Sequence, residues 1–387
     1  MRFRRWLIRA VLIVMCALMV LDASPAAAAP TGPTSTHHVP VYAYFYQWYD
    51  HGSWRRAKAD YPLVGTYSSD DPHILRDQIE EAKAAGIDGF LTSWKSTPQL
   101  NRRLDLLLRV ASELDFQVGV VYEALDFARE PLPAAKVRSD LSFLMQRWGP
   151  ALNATDFGKP LIAWTGTDQY SLSDIASVRA MLAGRAFLLA TSKDSEQYQR
   201  VAAEVDGEAY YWSSANPRAS FTLRRLKDLA TAVHAHDGIW VAPAAPGFDG
   251  RTLGHLRVVD RAGSATLTNS LTNAFASSPD AVGVISWNEW SENTYIEPGQ
   301  RYGRQEFNAL RKFLAARGND VGYSRVVHRV TARPGPWSGL RAAGLLTLLC
   351  LVGVGALILF GGRRCRWGRP TSRPAGRKVN RTKTLVG

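Results

Sequence analysis

Ala281-Val-Gly-Val-Ile-Ser-Trp287-Asn-Glu-Trp-Ser-Glu-Asn-Thr-Tyr-Ile-Glu-Pro298 opens as a short apolar run and ends in a dense set of aromatic and acidic residues. Ala281–Trp287 has the texture of a buried strand, and the polar residues after it mark a turn. Working outward, seven earlier runs share that texture: Val39–Tyr46, Gly89–Trp94, Gln117–Tyr122, Pro160–Trp164, Ala186–Ala190, Glu208–Trp212 and Ile239–Ala242. Between them, apolar residues recur at helical spacing in Pro72–Ala85, Gln99–Leu114, Ala135–Trp148, Ser171–Ala183, Ser220–Ala235 and Ser264–Ser277, and a last such stretch is Arg304–Ala316. Strands alternating with helices over residues 39–317 predict an α/β chain with one (β/α)8 TIM barrel, and the quoted stretch closes the count at eight. An open doubly wound sheet is the alternative. It would carry a Gly-rich phosphate turn after its first strand, and none follows Tyr46.

Chemistry in such a barrel sits where the strands end. Here those ends are aromatic and acidic: Tyr44-Phe-Tyr-Gln-Trp-Tyr49, Ser93-Trp-Lys-Ser96, Tyr122-Glu-Ala-Leu-Asp126, Tyr210-Tyr-Trp-Ser213 and Trp287-Asn-Glu-Trp290. Sugars present flat C–H faces to rings and hydroxyls to carboxylates and amides, so a mouth lined this way suits a carbohydrate. Any one of these rings is ordinary core by itself; five repetitions point to a surface for a ligand.

Glycosidic cleavage usually uses two carboxyl groups in different protonation states. Glu289 and Glu292 lie three residues apart where the eighth strand gives way to a turn. In an extended strand they would face opposite ways; on a helical turn their Cβ atoms would come within ~5–6 Å. Close carboxylates in an aromatic pocket repel, which raises one pKa toward that of a general acid. Pairs at this spacing are common on surface helices, but Trp287, Asn288, Trp290 and Tyr295 are poor surface-helix composition.

The two ends of the chain read differently. Arg2, Arg4, Arg5 and Arg9, an apolar run over residues 10–21 and Ala26-Ala-Ala-Ala29 make residues 1–29 an expected signal peptide, with an uncleaved anchor as the alternative. Residues 30–38 read as a linker. After a second linker at 318–341, residues 342–362 carry no charge and are long enough for a transmembrane helix. The tail at 363–387 holds nine Lys or Arg and no acid, which places it on the cytoplasmic side and the barrel outside the cell membrane. The whole chain carries +13; removing nine for the tail and three for residues 1–29 leaves +1. The high overall charge is therefore no nucleic-acid signal, and the tail is expected to meet anionic lipid. Cys16, Cys350 and Cys365 all lie in these end segments, so the barrel has neither a disulfide nor a thiol nucleophile.

The stretch Trp287-Asn-Glu-Trp-Ser-Glu-Asn-Thr-Tyr-Ile-Glu-Pro298 resembles the signature of glycoside hydrolase family 99, the endo-α-1,2-mannosidases and mannanases, and of the wider family 71/99-like group. Phe45-Tyr-Gln-Trp-Tyr49, Gly86-Ile-Asp-Gly-Phe-Leu-Thr-Ser-Trp94 and Pro246-Gly-Phe-Asp249 match its other marks in order. The resemblance implies a metal-independent, cofactor-free retaining endo-hydrolase of polysaccharide or oligosaccharide, passing through a 1,2-anhydro sugar. Glu289 would be the base that withdraws the 2-hydroxyl proton, and Glu292 the acid that protonates the departing oxygen and later activates water. Tyr46, Trp94 and Glu123 would contact sugar; Trp48, Tyr211, Asn288 and Tyr295 complete the expected lining. The family's histidine is Ser291 here, its glycine Asn293, its glutamine Tyr295, and a proline in the first aromatic cluster is Gln47. These changes flank the glutamates, so a glycosidase for another sugar, such as an α-glucan, and a silent carbohydrate-binding barrel remain alternatives. His234 and His236 are two apart on an expected helix, a poor metal pair. Ser68-Ser-Asp-Asp-Pro72 reads as a helix cap, and Asn153-Ala-Thr155 as a glycosylation pattern without weight. The chain is expected to act as a monomer.

Overall fold

The computed structural model describes residues 38–126, 128–152 and 156–318. The expected signal peptide, the 342–362 span, the basic tail and Asn153 lie outside the described residues. Among the described residues no helix is long and apolar enough to cross a membrane.

Among the described residues ten strands follow in chain order: β1 (Val41–Tyr46), β2 (Gly89–Trp94), β3 (Gln117–Tyr122), β4 (Leu161–Trp164), β5 (Phe187–Ala190), β6 (Gly207–Ala209), β7 (Ile239–Ala244), β8 (Phe248–Asp249), β9 (Val258–Val259) and β10 (Ala281–Val284). β1 to β7 and β10 pair in parallel and close into one barrel, β10 returning to β1. The (β/α)8 expectation holds. β8 and β9 form a small antiparallel pair in the connection between β7 and β10.

Period-two alternation divides each strand between two apolar layers. Tyr42, Tyr44, Leu91, Val121, Leu161, Leu189, Ala209, Val241 and Ile285 fill the barrel, whereas Ala43, Phe45, Phe90, Val120, Trp164, Trp240 and Val284 pack outward against the helices. Each large side chain buried in these layers contributes about 1.5–3 kcal/mol. Gly283 is one position where this packing demands the smallest residue: a Cβ there would lie 2.8 Å from Cε2 of Tyr44.

Helices follow where the apolar spacing places them, and side chains start them. Asp71 accepts from the His73 N–H with Pro72 in the first turn, as the cap reading expected; Thr97, Ser171 and Asp194 cap in the same manner. The helix Ser195–Val201, between β5 and β6, was not legible in the apolar pattern; at seven residues it is too short to display one. β10 ends at Val284 rather than at Trp287: the Ile285 and Trp287 N–H groups still reach Ala244 O and Tyr44 O, but the returning segment bonds to the residues among them. Ser286 N–H donates to Thr294 O (2.9 Å), and Glu297 N–H donates to Trp287 O (2.9 Å). β6 likewise stops at Ala209; beyond it Tyr211 and Ser213 reach the mouth, while Tyr210 packs outward on Trp240.

Candidate active site

Glu289 precedes, and Glu292 lies within, a turn over residues 290–293 at the C-terminal mouth of the barrel. It is a turn, not a helix. Asn293 adopts φ +56° there, the left-handed region that glycine and asparagine enter most readily. The backbone thus accounts for an asparagine at position 293.

Glu289 is held by its neighbours. Its N–H donates to Ser286 Oγ (2.8 Å), and its Oε1 accepts from the Ser291 N–H (3.0 Å). Burial, then the negative charge of Glu292, pushes its pKa up to about 8, against the opposing pull of Ser291 and the Lys58 ammonium. Glu292 accepts from Ser213 Oγ across the mouth (3.4 Å). Burial raises its pKa as well; Ser213, Arg129 and His255 oppose the rise, and Glu123 adds to it. Tyr211 lies within reach of both charges: burial and then Glu292 and Glu289 hold its hydroxyl protonated far above the usual range. Its ring meets Tyr44 edge-on at 4.9 Å. Glu123, whose pKa burial also raises, accepts from Ser93 Oγ (2.9 Å). Three carboxyl groups and a neutral phenol therefore converge on one mouth.

The wall beside them is aromatic. Tyr46 ends β1 on the inward parity, and Trp48 lies against it with ring centroids 4.5 Å apart. Trp48 is 39% exposed, which leaves a ring available to a ligand.

Three expected contacts stand elsewhere. Trp94 is fully buried on the outward parity of β2, its Nε1 donating to Asn101 (3.0 Å) and its ring edge-on to Trp148. Alternation turns its neighbour Ser93 toward the mouth instead, so Trp94 has no face for a sugar. Asn288 is also buried: it accepts from the Tyr46 N–H (2.8 Å) and donates to the Tyr46 carbonyl (3.0 Å), stapling the end of β1 to the glutamate turn. Tyr295 stacks on Trp290 at 3.9 Å and donates its hydroxyl proton to Asp60, beneath the turn. Asn288 and Tyr295 are thus supports of the site, not its lining. Behind them Tyr67 donates to Glu297 Oε2 (2.8 Å) and Gln78 to Glu297 Oε1 (2.8 Å); burial pushes Glu297 up to about 8.

Ser213, Arg129, His255 and Lys58 are electrostatic neighbours of the pair that the sequence reading did not select. Ser213 stood within the aromatic segment at the end of β6, so a signal existed; the other three lie on loops whose approach only folding creates. Among the described residues no group of three or more His, Cys, Asp or Glu is placed to hold a metal. His234 pairs with Asp280 (2.9 Å), while His236 meets the Tyr198 ring edge-on.

The family model for glycosyl hydrolase family 99 matches residues 53–312. Two curated relatives, glycoprotein endo-alpha-1,2-mannosidase-like proteins of Mus musculus and Homo sapiens, are each 21% identical over 262 residues. Those alignments cover 61% of this chain and 57% and 56% of the relatives, so the chain spans little more than half their length. Among solved structures, the GH99 endo-alpha-mannosidase from Bacteroides thetaiotaomicron superposes with a TM-score of 0.63 at 18% identity, covering 73% of this chain and 98% of that one. A glycoside hydrolase-like protein superposes at 0.57 with 14% identity, over 74% and 97% of the two chains. These structural likenesses carry the barrel fold; the match over more than half of its length is what decides that the chain belongs to glycoside hydrolase family 99.

Proposed function

We propose that the chain is a retaining endo-acting hydrolase of α-mannosides, working through a 1,2-anhydro sugar with Glu289 as base and Glu292 as acid. The observation that carries this reading is the convergence of a buried carboxyl, Glu289, and a half-buried one, Glu292, on a mouth that also holds Glu123, Tyr211 and the exposed Trp48 ring. In the first step Glu289 takes the proton of the substrate 2-hydroxyl as that oxygen attacks the anomeric carbon. Glu292 gives its proton to the departing oxygen as the glycosidic bond breaks. In the second step Glu292 takes a proton from water, the water oxygen bonds to the anomeric carbon, the three-membered ring opens, and Glu289 returns its proton to the 2-oxygen. Two inversions give net retention, one of the substrate-assisted exceptions to the two-carboxylate scheme.

The raised pKa of Glu289 suits this role. A sugar hydroxyl is a weak acid, and a base is strongest when its own pKa is high but near the working pH. Glu289 must be ionised and Glu292 protonated. Activity therefore follows a bell-shaped pH profile whose two limbs belong to the coupled pair and not to either carboxyl alone. The relatives named as endo-alpha-1,2-mannosidase-like support the sugar assignment, and the basic tail after an uncharged span supports action outside the cell membrane.

The test is incubation of the purified full chain with α-1,2-linked manno-oligosaccharides, following the first-formed product anomer by proton NMR. The α-anomer is expected. Cleavage with inversion, or normal cleavage of 2-O-methyl substrates, would rule out the anhydro-sugar route. Binding without turnover would favour the silent carbohydrate-binding barrel.

A further inference from the structure

The connection between β7 and β10 leaves the barrel at Gly247, forms the β8–β9 pair, and returns at Arg261. It then leads into the helix Ala265–Ala276. Four carbonyls of the segment that bears Glu292 are satisfied from this one excursion. Thr252 Oγ1 donates to Ser291 O, the Asp249 N–H donates to Glu292 O (2.7 Å), and Arg261 Nη2 donates to Asn293 O (3.1 Å) and Tyr295 O (2.7 Å). The same excursion reaches the residue next to Ser213, the side-chain donor to Glu292: Arg257 Nε donates to Ser214 O (2.8 Å).

Arg261 is the centre of this arrangement. It is 3% exposed, lies 4.4 Å from the Tyr295 ring and 4.6 Å from the Tyr302 ring, and faces the buried carboxylate of Glu306 at 3.5 Å. Gly247 gives it room, since a Cβ there would come 2.9 Å from the Arg261 Cγ. Burying a guanidinium and a carboxylate costs several kcal/mol, and a well-packed apolar pair would serve stability as well or better. What an apolar pair would not supply is two directed donors to the backbone that follows Glu292.

We infer that the β7–β10 excursion is a template for the acid, and that Arg261 is a positioning residue which fixes the Glu292 turn through the carbonyls of Asn293 and Tyr295. The inference rests on the reading of Glu292 as the acid. Arg261 touches no reacting atom; it acts by holding Glu292 against Ser213, where misplacement by an ångström is enough to lower the rate by ~10²-fold.

The experiment uses the full chain and three variants, Arg261→Met, Arg261→Lys and Thr252→Val. Two readouts are taken: steady-state hydrolysis of an α-1,2-mannoside, and the pH titration of the Glu292 carboxyl 13C signal, assigned by its loss in Glu292→Gln. In Arg261→Met, kcat is expected to fall about 10- to 100-fold with KM little changed. Its Glu292 titration should move down toward the ordinary glutamate range, because a loosened turn admits water. Arg261→Lys should recover part of both effects, and Thr252→Val should show a smaller version of them. A folded Arg261→Met whose kcat and Glu292 titration match wild type would overturn the inference. If that variant does not fold, Thr252→Val decides in the same way. Should wild type hydrolyse no α-mannoside, the proposed function fails, and the 13C titration alone still decides whether the excursion sets the environment of Glu292.

Discussion

Glu289 and Glu292 are three residues apart, and the molecule holds them by different means. Glu289 is fixed by Ser286, whose Oγ accepts from its N–H, and by Ser291, whose N–H donates to its carboxylate, both within three residues. Glu292 is reached by Ser213, 79 residues away, while Thr252 and Arg261 hold its flanks from 39 and 32 residues away. One carboxyl sits in a cradle that its own turn provides; the other is placed by segments that meet only in the closed barrel. The contrast fits the proposed chemistry. A base that must reach one hydroxyl needs a fixed plane, whereas an acid that serves a leaving oxygen and then water must be placed against a second wall of the mouth.

The sharpest way to break this comparison is to remove each carboxyl in turn. Glu289→Gln and Glu292→Gln should each lower turnover of a natural linkage by about 10²–10⁴-fold. An aryl mannoside whose leaving group needs no proton should restore much of the rate in Glu292→Gln and none in Glu289→Gln. Equal rescue of both would dissolve the assignment of unequal roles. In Glu292→Gln the neighbouring charge is gone, so Glu289 should titrate below its value of about 8, which 13C NMR can follow.

Next in size is the staple between β1 and the turn. Asn288→Leu strands the backbone N–H and carbonyl of Tyr46, and should cost about 2–4 kcal/mol in denaturant unfolding. A neutral result would return Asn288 to the ligand-facing role expected from sequence.

A pH dependence of stability follows from the same burial. Glu208, Glu289 and Glu297 are each pushed up to about 8 by burial, whereas an unfolded chain titrates near 4.3. Between those values the folded protein keeps protons that the unfolded chain has lost. The stabilisation is full below about 4.3 and is lost as pH rises through 8. Thermal melts should therefore fall over that window, and Glu297→Gln should flatten the fall; an unchanged slope would count against a protonated Glu297.

The smallest effect is expected at Ser213. Ser213→Ala removes a long hydrogen bond that favours the ionised form of Glu292, so the Glu292 titration should move up and kcat fall only about 2- to 10-fold. A larger loss would make Ser213, not the β7–β10 excursion, the main support of the acid.

The sequence by itself determined the barrel and the position of its mouth. Apolar alternation and helical spacing are local properties, so the eight runs and most helices could be read, with ends shifted where β6 stops before Tyr210 and where Ser286 bonds to the returning Thr294. The glutamate pair was legible because its signal, acids among aromatics after a buried strand, lies within one short segment, and Ser286 and Ser291 lie there too. Only the tertiary structure decided which side of a strand end faces the ligand. That sent Trp94 outward to the helices and Ser93 inward, and it buried Asn288 and Tyr295 as supports. It also decided how Glu292 is held. Arg261, Thr252 and Ser213 carry no pattern of their own, because a hydrogen bond across dozens of residues is fixed by how strands pack and not by the residues beside either partner.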